Sequence, residues 1–164
     1  MKPRSSPRFF FAVVGLASSG LVGGGLLLAH SLNLAACPLC ILQRMLYLLL
    51  AALALLAWPF ATRPGVARLA GTLIGLAALV GAGIAAYQTW LQRFAKGVSC
   101  TADQPWWEQF VDWAGQQVPL LFEATGLCSE AGWKFLGLSI AEWSLLAFSA
   151  FALAALHLML RPAR

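Results

Sequence analysis

"CPLCILQRMLYLLLAALALLAWPF", residues 37–60, carries a single charged side chain, Arg44, and its length decides the class of the chain. A helix needs about 20 predominantly apolar residues to cross a hydrocarbon core, and residues 39–60 supply them. Residues 9–30, 69–91 and 138–160 do the same. The 164-residue chain is 60% hydrophobic and only 10% charged, against roughly 25% charged in an ordinary soluble domain. It therefore reads as an all-α membrane protein: one integral domain over residues 1–164, built as a four-helix transmembrane bundle. No nucleotide-binding or hydrolase motif is present.

The N-terminal "MKPRSSPR" ahead of an apolar run has the look of a signal peptide, and "LAAC" at residues 34–37 that of a lipoprotein processing box. The first apolar run is longer than the roughly 7–15 residues of a signal peptide's hydrophobic region, and three more spans follow it. An uncleaved first span is expected.

Charge sets the expected orientation. Lys2, Arg4 and Arg8 precede the first span, Arg63 and Arg68 lie between the second and third, and Arg161 and Arg164 follow the fourth. These are seven of the eleven Lys and Arg residues, in segments without an acid. All six acids (Asp103, Glu108, Asp112, Glu123, Glu130, Glu142) fall in or beside the segment between the third and fourth spans. Cations mark the cytoplasmic side, so both termini are expected there. The net charge of +5 follows from this topology and does not call for a nucleic-acid partner.

The opposite face then holds residues 31–38 and 92–137 together with the mouth of the second span, and all four cysteines lie on it: Cys37 and Cys40 at that mouth, Cys100 and Cys128 in the longer loop. An even cysteine number on an exported face points to disulfide chemistry; in a bacterium that face is periplasmic. Within the longer loop, "QPWWEQFVDWAG" places Trp106, Trp107, Phe110, Val111 and Ala114 on one helical face, with Glu108, Gln109 and Asp112 opposite. Pro105 suits the first turn and Gly115 the stop. A short amphipathic helix in the membrane interface is expected, its tryptophans at headgroup depth; even as a mere anchor it would hold the loop near the membrane surface and keep Cys100 and Cys128 within reach of Cys37 and Cys40.

Pro38 suits the first position of the second helix, which makes Cys37 the cap and puts Cys40 in the first turn, where the helix dipole favours an anion. Cys40 is expected to have a depressed thiol pKa. Arg44 lies four residues on, on the same helix face, and a nearby cation favours a thiolate. An arginine inside a span is costly, about 2.5–3.5 kcal/mol at the centre and less towards an end, so a compensating partner is expected. Three readings stand at this point: a passive Cys-x-x-Cys staple with a snorkelling Arg44, half of a zinc site, and a redox pair. A disulfide between Cys100 and Cys128 would close a loop of about 28 residues, worth roughly 3–4 kcal/mol; if exposed, it would also be open to attack by a partner's thiolate.

"CPLCILQR" at the second span, a cysteine followed by a tryptophan-rich amphipathic segment, and "GLCSEAGWKFLGLSIAEW" before the fourth span resemble the DsbB family of membrane disulfide-bond formation proteins over nearly the whole chain. The resemblance implies an enzyme of the bacterial inner membrane, a quinone-dependent protein-dithiol oxidase. It would take electrons from a periplasmic thioredoxin-like partner, DsbA, and pass them to ubiquinone or menaquinone in the lipid bilayer. It further implies that Cys100, paired with Cys128, is attacked by the partner, and that Cys37 and Cys40 form the quinone-coupled pair, with Cys37 also able to pair with Cys128. Cys40 would face the quinone, with Arg44 stabilising the charge built there. No metal is implied. Some members carry a glutamate before the arginine and a histidine near the outer end of the third span; here those places read Gln43 and Gln88. Gln88 is expected to donate a hydrogen bond to a quinone oxygen. The alternative is a non-enzymatic four-helix scaffold whose disulfides stabilise its outer loop. Small residues in "SSGLVGGGLLL", "GTLIG" and "GAG" are expected to let helices approach closely.

Overall fold

The structure is a computed structural model that describes residues 6–94 and 105–160; Cys100 and the cations of both chain ends other than Arg8 lie outside the described residues. Four helices are long and apolar enough to cross a membrane. Helix α1 covers Pro7–Ser31, α2 covers Pro38–Ala57 and continues as a 3-10 turn over Trp58–Phe60, and α3 covers Pro64–Phe94. Next come two short helices, α4 (Trp106–Gln117) and α5 (Pro119–Phe122). A small hairpin of β1 (Lys134–Phe135) and β2 (Leu138–Ser139) leads into the fourth long helix, α6 (Ile140–Met159).

Local chemistry accounts for the helix starts. Ser6 caps α1 by accepting from the Phe9 N–H at 3.3 Å, and Pro7 occupies the first turn, where no intrahelical N–H bond is lost. Helix α6 starts two residues later than residue 138, because Leu138 is spent in the hairpin and Ser139 is the cap. The Glu142 N–H donates to Ser139 Oγ (3.3 Å) and the Ser139 N–H to Glu142 Oε2 (2.7 Å), a reciprocal box. Leu136 (φ 52°) and Gly137 (φ 81°) make the two-residue turn, both left-handed as a tight hairpin requires. Arg93, near the end of α3, pairs with Glu142 and ties α3 to the start of α6.

Helix α3 packs along α6, and α2 lies between α1 and α3; α1 and α6 meet at few positions. The core centres on Phe148 of α6, whose ring stacks on Tyr47 of α2 at 4.2 Å between centroids. On α3, a Cβ at Gly81 would fall 2.5 Å from that ring. Gly15, Gly71 and Gly75 are likewise at close approaches, at 3.2–3.4 Å. Gly20, Gly23, Gly24, Gly25 and Gly83 are not: a Cβ there meets nothing within 4 Å. The small residues of α3 thus largely serve packing, whereas most of the α1 glycine run does not. Outward-facing leucines such as Leu16, Leu27, Leu56 and Leu153 are more than two-thirds exposed along these spans. So large an apolar surface marks a lipid-facing exterior, and the chain is a multi-pass membrane protein.

The amphipathic helix α4 departs from the expected division of faces. Glu108 is buried with Val111 and Ala114, three residues apart, while Trp106, Phe110 and Trp113 form a separate exposed aromatic face. An outward apolar face and an inward mixed one suit a helix lying on the bundle. Nor does the helix stop at Gly115; it continues to Gln117. Gly115 instead admits α5, since a Cβ there would lie 2.9 Å from the Phe122 carbonyl oxygen.

Candidate functional site

The site begins at the N-terminus of α2. Cys37 is the cap: its backbone is extended, and its sulfur accepts from the Cys40 N–H at 3.4 Å. One turn of helix brings Cys40 Sγ to 3.0 Å from Cys37 Sγ. The pair is therefore within a short movement of the roughly 2.05 Å S–S bond. Cys37 is buried and Cys40 half-buried.

Cys128 joins them from the far loop. Its thiol lies close enough to the Cys37 sulfur and to the Leu39 N–H at the start of α2 to interact with both. Cys37 thus stands between two sulfurs, one on its own helix and one 91 positions later in the chain. The approach is enforced by backbone. The N–H groups of Thr125 and Gly126 both donate to the Ala36 carbonyl at 2.9 Å. A Cβ on Gly126 would lie 2.5 Å from the Ala35 carbonyl oxygen, so only glycine lets the two segments meet this closely.

These contacts separate the two thiols electrostatically. Hydrogen bonding to Cys128, then to Cys40, with burial added, pushes the Cys37 thiol well above its usual range. The Cys128 thiol is lowered, chiefly by its hydrogen bond with Cys37 and further by the Leu39 N–H, against the opposing effects of burial and the nearby Glu108 carboxylate. Glu108, which the sequence puts on the polar face of α4, is instead buried beside Val111 and Ala114 and acts on Cys128, a long-range relation that no local pattern signals.

Arg44 finds the compensating partner that its position in a span demands. Its Nη1 donates to the Leu121 carbonyl at 2.5 Å. Leu121 belongs to the last turn of α5, where carbonyls have no intrahelical donor. One contact therefore satisfies both a half-buried guanidinium and an orphan acceptor, and it fastens the loop to α2. Arg44 and Cys40 line a cleft of about 130 Å³ with Tyr47, Gly25 of α1 and Ser144 of α6. Helices α1 and α6, which both contribute to its walls, meet at few positions.

Gln88, near the end of α3, does not line this cleft. It is 1% exposed, and its amide nitrogen lies 3.2 Å from Cys37 Sγ and 3.1 Å from Cys40 Sγ. Its oxygen accepts from Gln43 Nε2 at 2.7 Å. Of the candidate residues, Cys37, Cys40, Cys128, Arg44 and Gln88 thus cluster at one end of the bundle, and Cys100 lies outside the described residues. Among the described residues, no group of three or more His, Cys, Asp or Glu side chains is placed to hold a metal ion.

Known proteins resemble this chain over most of its length. The family model for "Disulfide bond formation protein DsbB" matches residues 7–158. Similar relatives include the disulfide bond formation protein B of Dechloromonas aromatica, 41% identical over 159 residues covering 96% of this chain and 94% of the relative. That of Nitrosomonas europaea is 38% identical over 154 residues, covering 90% of each. That of Polaromonas naphthalenivorans is 37% identical over 161 residues, covering 97% and 95%. Four apolar helices, sulfurs gathered about the N-terminus of the second, and matches over nearly the full length of both chains lead to one conclusion: the chain belongs to the DsbB family of disulfide bond formation proteins.

Proposed function

We propose that the protein is a membrane thiol:quinone oxidoreductase that reoxidises a periplasmic DsbA-like dithiol protein. The observation that carries the reading is the position of Cys37, 3.0 Å from the Cys40 sulfur on one side and within interacting reach of Cys128 on the other. A sulfur flanked in this way can exchange its disulfide between two partners, the essential step of an electron relay.

In this reading the partner's thiolate attacks Cys100 of a Cys100–Cys128 disulfide, and Cys128 leaves as a thiolate. The partner's second thiol then closes the partner's own disulfide and releases Cys100. Cys128 attacks Cys37 of the Cys37–Cys40 disulfide, expelling Cys40 as a thiolate. Cys100 next attacks Cys128, restoring the loop disulfide and freeing Cys37. The lowered thiol of Cys128 suits it to attack and to leave. Re-forming Cys37–Cys40 releases two electrons and two protons.

The cleft beside Cys40 fits a quinone ring: its walls are largely apolar, Cys40 is among the residues that line it, and Arg44 offers N–H donors to an oxygen that gains charge. When bound there, ubiquinone or menaquinone supplies the two-electron sink. Arg44 and Cys40 would hold it, while the Leu121 carbonyl keeps the guanidinium in place. The cation distribution supports cytoplasmic termini, with the cysteine end of the bundle in the periplasm.

The test is quinone reduction by the purified protein, supplied with a reduced thioredoxin-like dithiol protein. Wild type is expected to turn over, Cys40→Ala to lose quinone-linked turnover, and Arg44→Ala to fall at least tenfold, as when a donor to developing charge is removed. Undiminished activity in Cys40→Ala, or none in wild type with either quinone, would replace this reading with that of a scaffold stabilised by disulfides.

A further inference from the structure

Gln43 and Gln88, 45 positions apart in the chain, are both buried, at 3% and 1% exposed, and bonded to each other. A primary amide has two N–H donors and one carbonyl acceptor. In Gln88 all of these are engaged: the nitrogen faces Cys37 Sγ and Cys40 Sγ at 3.2 and 3.1 Å, and the oxygen is held by Gln43 Nε2. Because Gln43 presents a donor, the oxygen of Gln88 turns towards it and the nitrogen is left facing the sulfurs. Gln43 is three residues beyond Cys40 on α2, so the helix that carries the sulfur pair also carries the group that orients its donor.

We propose that the Gln43–Gln88 amide pair raises the reduction potential of the Cys37–Cys40 couple, Gln88 donating one N–H to each sulfur and Gln43 holding Gln88 in that orientation. The physical basis is a difference in acceptor strength. A disulfide sulfur is a weak acceptor, whereas a thiolate is charged, and hydrogen bonds to charged groups are the stronger class. Cys37 donates to Cys40 within the pair, so the charge of the reduced pair sits on Cys40, and the donor fixed on that sulfur stabilises the reduced pair more than the oxidised one, which makes the disulfide a better oxidant of Cys128. Gln88 touches the reacting atoms; Gln43 is a positioning residue that acts through it. Both side chains are neutral amides, so the effect requires no proton to be gained or lost on either.

The inference rests on Cys37 and Cys40 cycling as a redox pair, and its test needs neither quinone nor partner protein. Full-length protein with Cys100 and Cys128 replaced by alanine is equilibrated in detergent with graded mixtures of reduced and oxidised dithiothreitol. The reduced fraction is then read by thiol alkylation and mass. In this exchange two electrons and two protons pass from one dithiothreitol to one Cys37–Cys40 disulfide. Gln88→Met keeps the length of the side chain and removes both donors. It is expected to shift the equilibrium about tenfold towards the protein disulfide, a fall of about 30 mV. Gln43→Met is expected to shift it the same way by a smaller factor. The double variant should match Gln88→Met, because Gln43 acts only through Gln88.

A Gln88→Met protein that unfolds at the wild-type temperature and keeps the wild-type equilibrium overturns the proposal, as does a double variant whose shift is the sum of the two single shifts. Should Gln88→Met fail to fold, Gln43→Met decides alone, and an unshifted equilibrium overturns it. A shifted equilibrium in a protein that never reduces quinone would support this inference while overturning the proposed function, so the two failures are distinguishable.

Discussion

At the scale of single residues, the site works by assigning unlike roles to chemically identical side chains. Cys37 and Cys128 are both thiols, yet the hydrogen bond between them pushes one up and draws the other down. The sign of the consequence is definite. A thiol held below its ordinary pKa of about 8.5 is ionised at lower pH than a free cysteine, and one held above it stays protonated. In the fully reduced protein, Cys128 is therefore expected to react with iodoacetamide at lower pH than a free cysteine, and Cys37 only at higher pH. Peptide mapping after alkylation across pH checks the order, and the reverse order would contradict the arrangement. Arg44 has a similarly definite assignment. Its cost in a span is offset by a carbonyl that a helix end leaves unpaired, so the residue that faces the cleft also ties down the loop.

At the scale of elements, the segment before α2 and the loop around Cys128 behave as a clasp. The Thr125 and Gly126 N–H groups share the Ala36 carbonyl, and the atoms that a Gly126 side chain would strike are backbone, which cannot swing aside. Gly126→Ala is expected to separate the loop from α2 at a cost of about 1–3 kcal/mol in lost hydrogen bonds and crowding. Its mark is slower exchange between Cys128 and Cys37, measured by trapping the mixed disulfide in a Cys40→Ala background, with the span helices unchanged by circular dichroism. Wild-type trapping rates would show that the clasp does not position Cys128. Helix α4 bears on the same region through Glu108, whose carboxylate opposes ionisation of Cys128.

At the scale of the molecule, the bundle is asymmetric: α3 and α6 are closely packed, whereas α1 leans on α2 and barely meets α6. The glycines follow this division. Gly81→Ala drives a methyl group into the Phe148 ring that stacks on Tyr47, and overpacking of this kind costs about 1–3 kcal/mol. Gly24→Ala meets only open space and gains helix propensity, so it is expected to be neutral or slightly stabilising. Thermal unfolding in detergent should lower the midpoint for the first and not for the second. Equal losses would mean that the surface of α1 is covered.

The sequence by itself determined the membrane-spanning class, the four helices, the cap at Cys37 and the proximity of Cys40 and Arg44, because each rests on local periodicity, span length or a spacing of three or four residues. It placed the sulfurs of the second span but misassigned Glu108 and Gly115, since a helix with two apolar faces does not announce which one meets the bundle. Only the tertiary structure decided that Cys128 reaches Cys37, that Leu121 receives Arg44, and that Gln43 holds Gln88 against the sulfurs. Those contacts join segments tens of residues apart, and they depend on how helices are rotated about their axes and on a backbone approach that a glycine alone permits, neither of which any local pattern encodes.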